Sequence, residues 1–281
     1  MIDYIPVKIL FNFGALKVYS WGLFFAIAFL TAFFLILMEA RKKKIDTLHI
    51  YNLGFLTLLG AVLGSRLFYV IENIFYFIGK PLEILSFWDG GLTSYGGIFL
   101  GLLFVWIYTK RNTDLKFLQI LDISAPYIVL ALAIGRIGCF LNWCCYGIGS
   151  DLPWAIKTID DIPRHPTQFY DIFANLAIFF VLIKLKNRKQ QGEKFSRFKK
   201  NSFKDITFIH ESDFFDKEGS MFLSFAVMYS TLRFFIDFLR DHHSYFLGLA
   251  TSQWVCILVF IGSIIAIANI DKIQRKDFGW N

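Results

Sequence analysis

The chain has 281 residues, of which 56% are hydrophobic and 34 are phenylalanine, and its formal net charge is +7. Because the apolar residues stand in long continuous blocks, the composition excludes an ordinary soluble domain and indicates a polytopic membrane protein. The blocks do not alternate between apolar and polar residues, which argues against a β-barrel. We therefore predict an all-α membrane protein.

Seven segments are candidate transmembrane helices, each of which needs roughly 20 apolar residues to cross a bilayer. In chain order they cover about 18–38, 48–71, 95–109, 118–141, 168–185, 219–239 and 251–270. The third is short, so we expect it to be tilted, kinked or only partly spanning. No basic n-region or small-residue cleavage site precedes the first segment, which we interpret as a retained span rather than a signal peptide.

Basic residues are divided unequally between the two sides of the predicted membrane. Twenty lie in 41–44, 110–116, 184–217 and 272–276 on one side, and only six lie in the loops of the other side. Because basic loops stay in the cytoplasm, this asymmetry predicts an N-terminus outside and a cytoplasmic C-terminus. The positive charge then belongs to the membrane surface and not to a nucleic-acid site.

We detect no internal repeat and predict a single polytopic domain over 1–281. The longest polar interruption, 187–218, mixes charged and aromatic residues. We expect a cytoplasmic basic loop or short helical arm there, either a topological linker or a binding segment. The polar segments 86–97, 142–168 and 240–248 are predicted to face outside and are richer in Gly, Pro, Trp and His. Functional residues concentrate in such loops.

Three arginines lie within the apolar segments or at their ends, where a charge costs roughly 2.5–3.5 kcal/mol to insert. They are Arg66, Arg136 and Arg233. Arg233 and Asp237 are one helical turn apart, so they form either a buried ion pair that fixes helix packing or part of a functional site. Glycines flank Arg136 and leave space for a bulky anion, and a guanidinium suits bidentate phosphate contact. Snorkelling alone also explains an arginine at a helix end.

The four cysteines are Cys139, Cys144, Cys145 and Cys256. Cys-x4-Cys-Cys is not a recognised zinc spacing, so we predict no metal site. Small packing residues are the main interpretation, and a disulfide between Cys139 and one of its two neighbours is the alternative.

Other polar positions have two interpretations each. Glycines around Tyr95 are expected where backbone approaches a ligand or another helix. His165 is a candidate base or polar clamp at the lipid interface, and Thr167 is a candidate helix N-cap. Asp122 either neutralises an arginine or caps its own helix.

Four segments occur in a fixed order on this seven-span pattern. They are YGG at 95–97, GRIG-x-F-x-N-x3-YG at 135–147, HPTQFYD at 165–171 and RFFIDFLR at 233–240. Together they resemble the bacterial prolipoprotein diacylglyceryl transferases. The resemblance covers nearly the whole chain, from Trp21 to Gln253.

The resemblance implies a reaction at the outer leaflet of the bacterial plasma (inner) membrane. Such enzymes move a diacylglyceryl group from phosphatidylglycerol to the thiol of the lipobox cysteine in the signal peptide of a preprolipoprotein. The products are a thioether and glycerol phosphate, in the first step of lipoprotein maturation. The expected partners are these two substrates and membrane lipids, without nucleic acid, metal or soluble cofactor.

The resemblance also implies roles for individual residues. Arg136 and Arg233 match essential arginines that hold the phosphate and stabilise charge on the leaving group, and Tyr95 occupies a third catalytic position. The expected substrate-binding residues are Trp21, Arg66, Gly96, Gly97, Arg136, Asn142, Gly147, His165, Gln168 and Asp237.

Four positions depart from the family pattern and leave two other functions open. Trp21 replaces a tyrosine, Tyr95 a histidine, Cys139 an asparagine and Cys144 an acidic residue. These changes affect polar groups around the expected headgroup site but leave both arginines in place. The alternatives are a paralogue that uses another lipid or acceptor and a non-catalytic protein that binds or transports phospholipid.

Overall fold

The computed structural model describes residues 2–14, 16–86, 90–112, 114–158, 161–202, 214–241 and 245–272. The described residues form eight α-helices and six short strands. In chain order these are β1 (Ile2–Asp3), β2 (Ile9–Phe13), β3 (Leu16–Tyr19), α1 (Ser20–Lys42), α2 (Thr47–Glu72), α3 (Ile74–Ile78), α4 (Ser94–Arg111), α5 (Phe117–Leu141), β4 (Ile156–Lys157), α6 (Thr167–Ser202), α7 (Ser220–Ile236), β5 (Tyr245–Phe246), β6 (Leu249–Ala250) and α8 (Thr251–Ala268).

Six helical stretches are long and apolar enough to cross a membrane, which confirms a predominantly helical membrane protein. They are Ser20–Lys42, Thr47–Glu72, Phe117–Leu141, Thr167–Arg188, Ser220–Leu239 and Thr251–Ala268. The short third segment of the sequence prediction is also helical, as α4, but its 18 residues are not among the six. The fifth of these stretches, Ser220–Leu239, consists of α7 and a 3-10 helix, Asp237–Leu239, that continues it.

Helix α6 is longer than its predicted apolar segment. It runs for 36 residues, so the polar stretch that begins at 187 continues as helix to Ser202. Residues 203–213 of that stretch lie outside the described residues. The apolar part of α6 ends near Arg188, where the candidate membrane span also ends.

Contacts divide the chain into two compact units, one made of 1–35 and 121–281 and the other of 36–120. In the first unit α5, α6 and α7 enclose a buried apolar cluster. Its members are Ala125, Val129, Ile178, Leu182, Met221 and Phe225. The Asp122 carboxylate accepts hydrogen bonds from the backbone N–H groups of Gly219, at 2.8 Å, and Phe222, at 2.9 Å. It therefore caps α7 and not its own helix, which was one of the two interpretations given for this residue.

In the second unit α2 and α4 pack closely through facing glycines. A Cβ added at Gly60 would lie 2.7 Å from the Cα of Gly101, and one added at Gly97 would lie 2.6 Å from the Oγ of Ser65. A Cβ at Gly64 would overlap the carbonyl oxygen of Gly96. Small residues allow this approach of two helix backbones in a membrane.

The strands form three small two-stranded sheets in the first unit. β2 and β3 make an antiparallel hairpin before α1, and β5 and β6 make another before α8. β1 pairs in parallel with β4, so the start of the chain is tied to the segment that joins α5 and α6. The backbone N–H of Val7 also donates to the carbonyl of Leu141, at 2.9 Å. These ties fix the loop that follows Arg136.

Candidate functional site

Two arginines of the first unit share one buried carboxylate. The Nε of Arg136 lies 3.0 Å from Oδ2 of Asp171, and Nη1 of Arg233 donates to both oxygens of Asp171 at 2.8 and 3.0 Å. Arg136 is on α5, Asp171 on α6 and Arg233 on α7. The side chains of Asp171 and Arg233 are 6% and 8% exposed. The ion cluster therefore joins the three helices that form the buried core.

A second carboxylate completes the cluster. Nη2 of Arg233 lies 2.8 Å from Oδ1 of Asp237, which confirms the predicted pairing one turn apart, and Nη1 of Arg240 lies 3.9 Å from the same oxygen. Three guanidiniums against two carboxylates leave one net positive charge. Buried charges are tolerated when they are paired in this way, and the surplus favours an anionic ligand.

Arg136 is the more exposed of the two arginines that bind Asp171. Within the part of the chain that the structure describes, its ion pair with Asp171 runs through Nε. Its side chain is 18% exposed. Gly135 beside it leaves open space, since a Cβ there would meet nothing within 4 Å, whereas a Cβ at Gly138 would lie 2.8 Å from Phe24. Only Gly135 therefore leaves the gap that the sequence suggested; Gly138 packs against α1.

Three polar residues form a stripe along α6, since Gln168, Asp171 and Asn175 follow the i, i+3, i+7 spacing. All three are buried. Within the described residues the Oε1 of Gln168 and the Oδ1 of Asn175 have no hydrogen-bond partner. Buried acceptors are normally satisfied, so this stripe offers two oxygens to a ligand that carries hydroxyl groups.

The loop between α5 and α6 folds back on itself around Gly147. The N–H of Gly147 donates to the carbonyl of His165, at 2.8 Å, and a Cβ at Gly147 would overlap the carbonyl of Leu239. The Nδ1 of His165 lies 3.1 Å from the hydroxyl of Tyr170. These contacts place the predicted residues Gly147 and His165 where the loop meets the end of the α7 stretch.

Three cysteines come together in this loop. The Sγ atoms of Cys139, Cys144 and Cys145 all lie within 4.8 Å of one another. Hydrogen bonds from the other two thiols, together with the guanidiniums of Arg136 and Arg233, lower the pKa of Cys145. Hydrogen bonds with the same neighbours and burial raise the pKa of Cys144. The spacing in the sequence did not predict this cluster.

The cysteine loop is held by the first residues of α6. The hydroxyl of Thr167 donates to the carbonyl of Cys145 at 2.7 Å, and Nε2 of Gln168 donates to the carbonyl of Cys144 at 2.8 Å. Thr167 is the first residue of α6 and not its cap as the sequence suggested. The side-chain amide of Gln168 thus binds the loop through Nε2, while its Oε1 has no hydrogen-bond partner within the described residues.

Four predicted residues belong to the second unit. Arg66 is buried and donates to backbone carbonyls of Ile84 at 2.9 Å and Gly90 at 2.8 Å, so it holds the segment that precedes α4. Tyr95 lies in the first turn of α4 and is 42% exposed. Gly96 and Gly97 contact α2, which accounts for them by helix packing, the second of the two interpretations given for these glycines.

Two further predicted residues lie at helix ends in the first unit. Trp21, the second residue of α1, is 46% exposed and stacks on Phe25 with a ring separation of 5.6 Å. Asn142 follows α5, and its side-chain amide makes no hydrogen bond within the described part of the chain. It is half-buried and six residues from Arg136.

The family model described as prolipoprotein diacylglyceryl transferase matches residues 8–201 and 203–269. This covers almost the entire chain, including every residue of the ion cluster. The chain belongs to the prolipoprotein diacylglyceryl transferase family.

Individual members of the family align over similar lengths. A protein of Clostridium tetani named phosphatidylglycerol--prolipoprotein diacylglyceryl transferase is 31% identical over 277 residues, 95% of this chain and 99% of its own. A protein of the same name from Pediococcus pentosaceus is 31% identical over 279 residues, 95% of this chain and 91% of its own. One from Aromatoleum aromaticum is 32% identical, with 89% of each chain covered.

Sequence reasoning missed two residues of the site in this prolipoprotein diacylglyceryl transferase family member. Asp171 bridges both arginines, and Tyr229, one turn before Arg233 on α7, is within electrostatic range of Arg136, Asp171 and Arg233. A signal for Asp171 was present, because it is a charge within a predicted span. Tyr229 carries no charge and stands in an apolar run, so nothing in the sequence separates it from packing aromatics.

Proposed function

We propose that this protein transfers the diacylglyceryl group of phosphatidylglycerol to the lipobox cysteine of preprolipoproteins, the first step of bacterial lipoprotein maturation. Family membership and the names of the relatives support the reaction. The single observation that carries it to this site is the partly exposed guanidinium of Arg136, 18% exposed and joined through Nε to Asp171, beside a buried cluster with one surplus positive charge. A phosphodiester is bound well by the fork of donors that a guanidinium presents.

The chemistry follows from the charge that develops on the phosphate. The lipobox thiol attacks the glyceryl carbon that is bonded to the phosphate oxygen, a carbon–sulfur bond forms, and the carbon–oxygen bond breaks. Its electron pair leaves with glycerol phosphate, and the proton that the thiol loses ends in solvent. The phosphate passes from a monoanionic diester toward a dianionic monoester. Arg136 and Arg233 stabilise this added charge, which is the electrostatic part of the catalysis.

The headgroup glycerol fits the polar stripe of α6. Its hydroxyl groups donate to the unpaired oxygens of Gln168 and Asn175, which are buried on the same helix face as Asp171. A lipid without those hydroxyls leaves both acceptors unsatisfied, which favours phosphatidylglycerol over other lipids. Gly147 and His165 contact each other at the end of the loop, and we expect Asn142 to line the same site. Gly147 acts there through close packing rather than through ligand contact.

An apolar cavity of about 200 Å³ between α7 and α8 suits an acyl chain. It is lined by Ser230, Thr231, Phe234, Phe235, Cys256, Ile257 and Phe260, on α7 and α8. Phe234 is the neighbour of Arg233 in the chain. We infer that one acyl chain of a lipid whose phosphate lies at the arginines enters this cavity.

We infer that the protein crosses the bacterial plasma (inner) membrane seven times. Helix α4, the third span in chain order, is the one that adds to the six stretches described above. The N-terminus of the protein lies outside, its C-terminus in the cytoplasm, and its active site faces the outer leaflet. The charge asymmetry of the loops supports this orientation. Tyr95 takes the role of the proton-handling residue, with Trp21 and Arg66 near the lipid, as the family resemblance implies.

Restoring growth to a cell that lacks the activity tests this function. The chain is expressed in a bacterium whose own prolipoprotein diacylglyceryl transferase can be shut off, and a reporter lipoprotein is examined for diacylglyceryl modification. We expect wild-type protein and an Arg41→Ala control, which removes an exposed arginine at the end of α1, to restore both. Arg233→Ala at the same expression level should restore neither. Unmodified reporter with well-expressed wild-type protein contradicts the proposal.

A further inference from the structure

The three thiols of the loop after α5 form a compact donor set that the proposed transfer reaction does not use. The Sγ atoms of Cys139, Cys144 and Cys145 lie within 4.8 Å of one another, and all four cysteines of the chain are free. Three sulfurs bound to one ion at about 2.3 Å are roughly 4 Å apart. The observed separation is therefore close to that of a trithiolate metal site.

The backbone holds these thiols together at a conformational cost. Trp143 and Cys145 adopt φ values of 51° and 64°, in the left-handed region that residues other than glycine rarely enter. The N–H of Cys144 donates to the carbonyl of Cys139 at 3.0 Å. The side chains of Thr167 and Gln168, both fully buried, bind the carbonyls of Cys145 and Cys144. A strained turn that is fixed from several sides marks a built site.

Positive charge lies near the three sulfurs. Metal ions bind the deprotonated form of cysteine, and the guanidiniums of Arg136 and Arg233 lie within electrostatic range of Cys145. Three thiolates with a monovalent or divalent ion carry a net negative charge, and the arginines compensate it. Cys144 and Cys145 are half-buried, which leaves room for a solvent ligand at a fourth position.

We propose that Cys139, Cys144 and Cys145 bind one thiophilic metal ion of the zinc and monovalent copper class. Soft thiolate ligands select these ions over magnesium or calcium. The site lies beside the ion cluster but shares no ligand with it. Its function is distinct from lipid transfer, so the failure of either proposal does not decide the other.

The test loads purified, tag-free protein in detergent with Cd²⁺ or Zn²⁺, removes free ion, and measures bound metal by mass spectrometry. We expect one equivalent in wild-type protein and in Cys256→Ser, which removes the one cysteine outside the cluster. The triple variant C139S/C144S/C145S should lose the metal. The Cd²⁺ form should also show a thiolate-to-metal absorption band that the triple variant lacks. Equal metal in all three proteins overturns the proposal.

A measurement on wild-type protein alone avoids any folding defect of the variant. Thiols are alkylated with N-ethylmaleimide before and after addition of Cd²⁺, and peptides are mapped by mass. Binding should slow alkylation at the three cluster cysteines and leave Cys256 unchanged, because a thiolate bound to metal is not free to react. Unchanged alkylation, or a disulfide within the cluster with no metal retained, overturns the proposal.

Discussion

At the scale of single residues, Asp171 explains how two arginines coexist inside an apolar bundle. Arg136 and Arg233 repel each other, and the carboxylate between them offsets that repulsion at 3.0 and 2.8 Å. Both Arg233 and Asp171 are almost fully buried, so water screens them little. The arrangement holds Arg136 in place with 18% of its side chain exposed.

Removing the charge of Asp171 should destabilise the protein strongly. Asp171→Asn leaves the guanidiniums of Arg136 and Arg233 without their shared partner, which typically costs about 3–5 kcal/mol in unfolding free energy. Asp151→Asn, on an exposed loop position, is the control and should change it by less than about 0.5 kcal/mol. Denaturant unfolding in detergent measures both. Similar stability of the two variants contradicts the bridging role.

The sequence predicted part of this site for a clear reason. Charges within apolar segments are rare, so Arg136, Arg233 and Asp237 could be selected directly, and helical spacing predicted the pair of Arg233 with Asp237. The link to Asp171 joins residues 62 positions apart and depends on how α6 packs against α7. The cysteine cluster depends on two unusual φ values, which no spacing rule indicates.

At the scale of elements, the loop between α5 and α6 is shaped by close backbone contacts. Gly147 lies against the carbonyls of His165 and Leu239 with no room for a Cβ, whereas Gly149 has only Pro163 at 3.9 Å. These two glycines are two residues apart in the same loop. They therefore separate the effect of a close approach from that of a glycine in a turn.

Gly147→Ala should lower the unfolding free energy by about 1–3 kcal/mol, because the added methyl group forces two carbonyls and the His165 side chain apart. Gly149→Ala should leave it within about 0.5 kcal/mol of wild type. Thermal unfolding in detergent compares the pair. If both alanines are tolerated equally, the loop is looser than the structure describes.

The pairing of α2 with α4 depends on glycines in the same way. Gly64→Ala should destabilise the second unit by about 1–3 kcal/mol, since its Cβ would overlap the backbone of Gly96. Gly262→Ala, in α8 with nothing within 4 Å, is the matched helical control and should be neutral or slightly stabilising. Resistance to protease in detergent measures both variants. A harmless Gly64→Ala would show that the helices do not need to approach so closely.

Helix positions were predicted well because lipid imposes long apolar runs. The second and fourth segments, predicted at 48–71 and 118–141, are Thr47–Glu72 and Phe117–Leu141 in the structure. The extension of α6 to Ser202 was missed because its polar residues carry no apolar signal. The short strands were missed because two to five residues give no detectable alternation.

At the scale of the whole molecule, the topology depends on whether α4 crosses the membrane. Six stretches meet the length and hydropathy expected of a span. Helix α4 has 18 residues, four of which are glycines or small polar residues near its start, and it is not among the six. An odd number of crossings places the two ends of the chain on opposite sides. The loop charges then fit the positive-inside rule only if α4 crosses.

Reporter fusions test this topology. Fusions after Ser86 and after Asn112, on either side of α4, should report opposite sides, with alkaline phosphatase active at Ser86 and green fluorescent protein fluorescent at Asn112. A fusion after Lys272 should also fluoresce. Two active phosphatase fusions around α4 would mean that this helix does not cross, and the orientation of the later helices would reverse.

Transfer by the purified protein tests the proposed reaction most directly. The protein is incubated with phosphatidylglycerol micelles and a synthetic lipobox peptide, and the peptide mass is followed. Wild type should add a diacylglyceryl group to the cysteine and release glycerol phosphate. Arg136→Ala should lower the rate by about 10²–10³-fold, and Arg136→Lys should not restore it, because a lysine lacks the paired donors. No mass gain with folded wild-type protein, or equal gain with Arg136→Ala, would contradict the account.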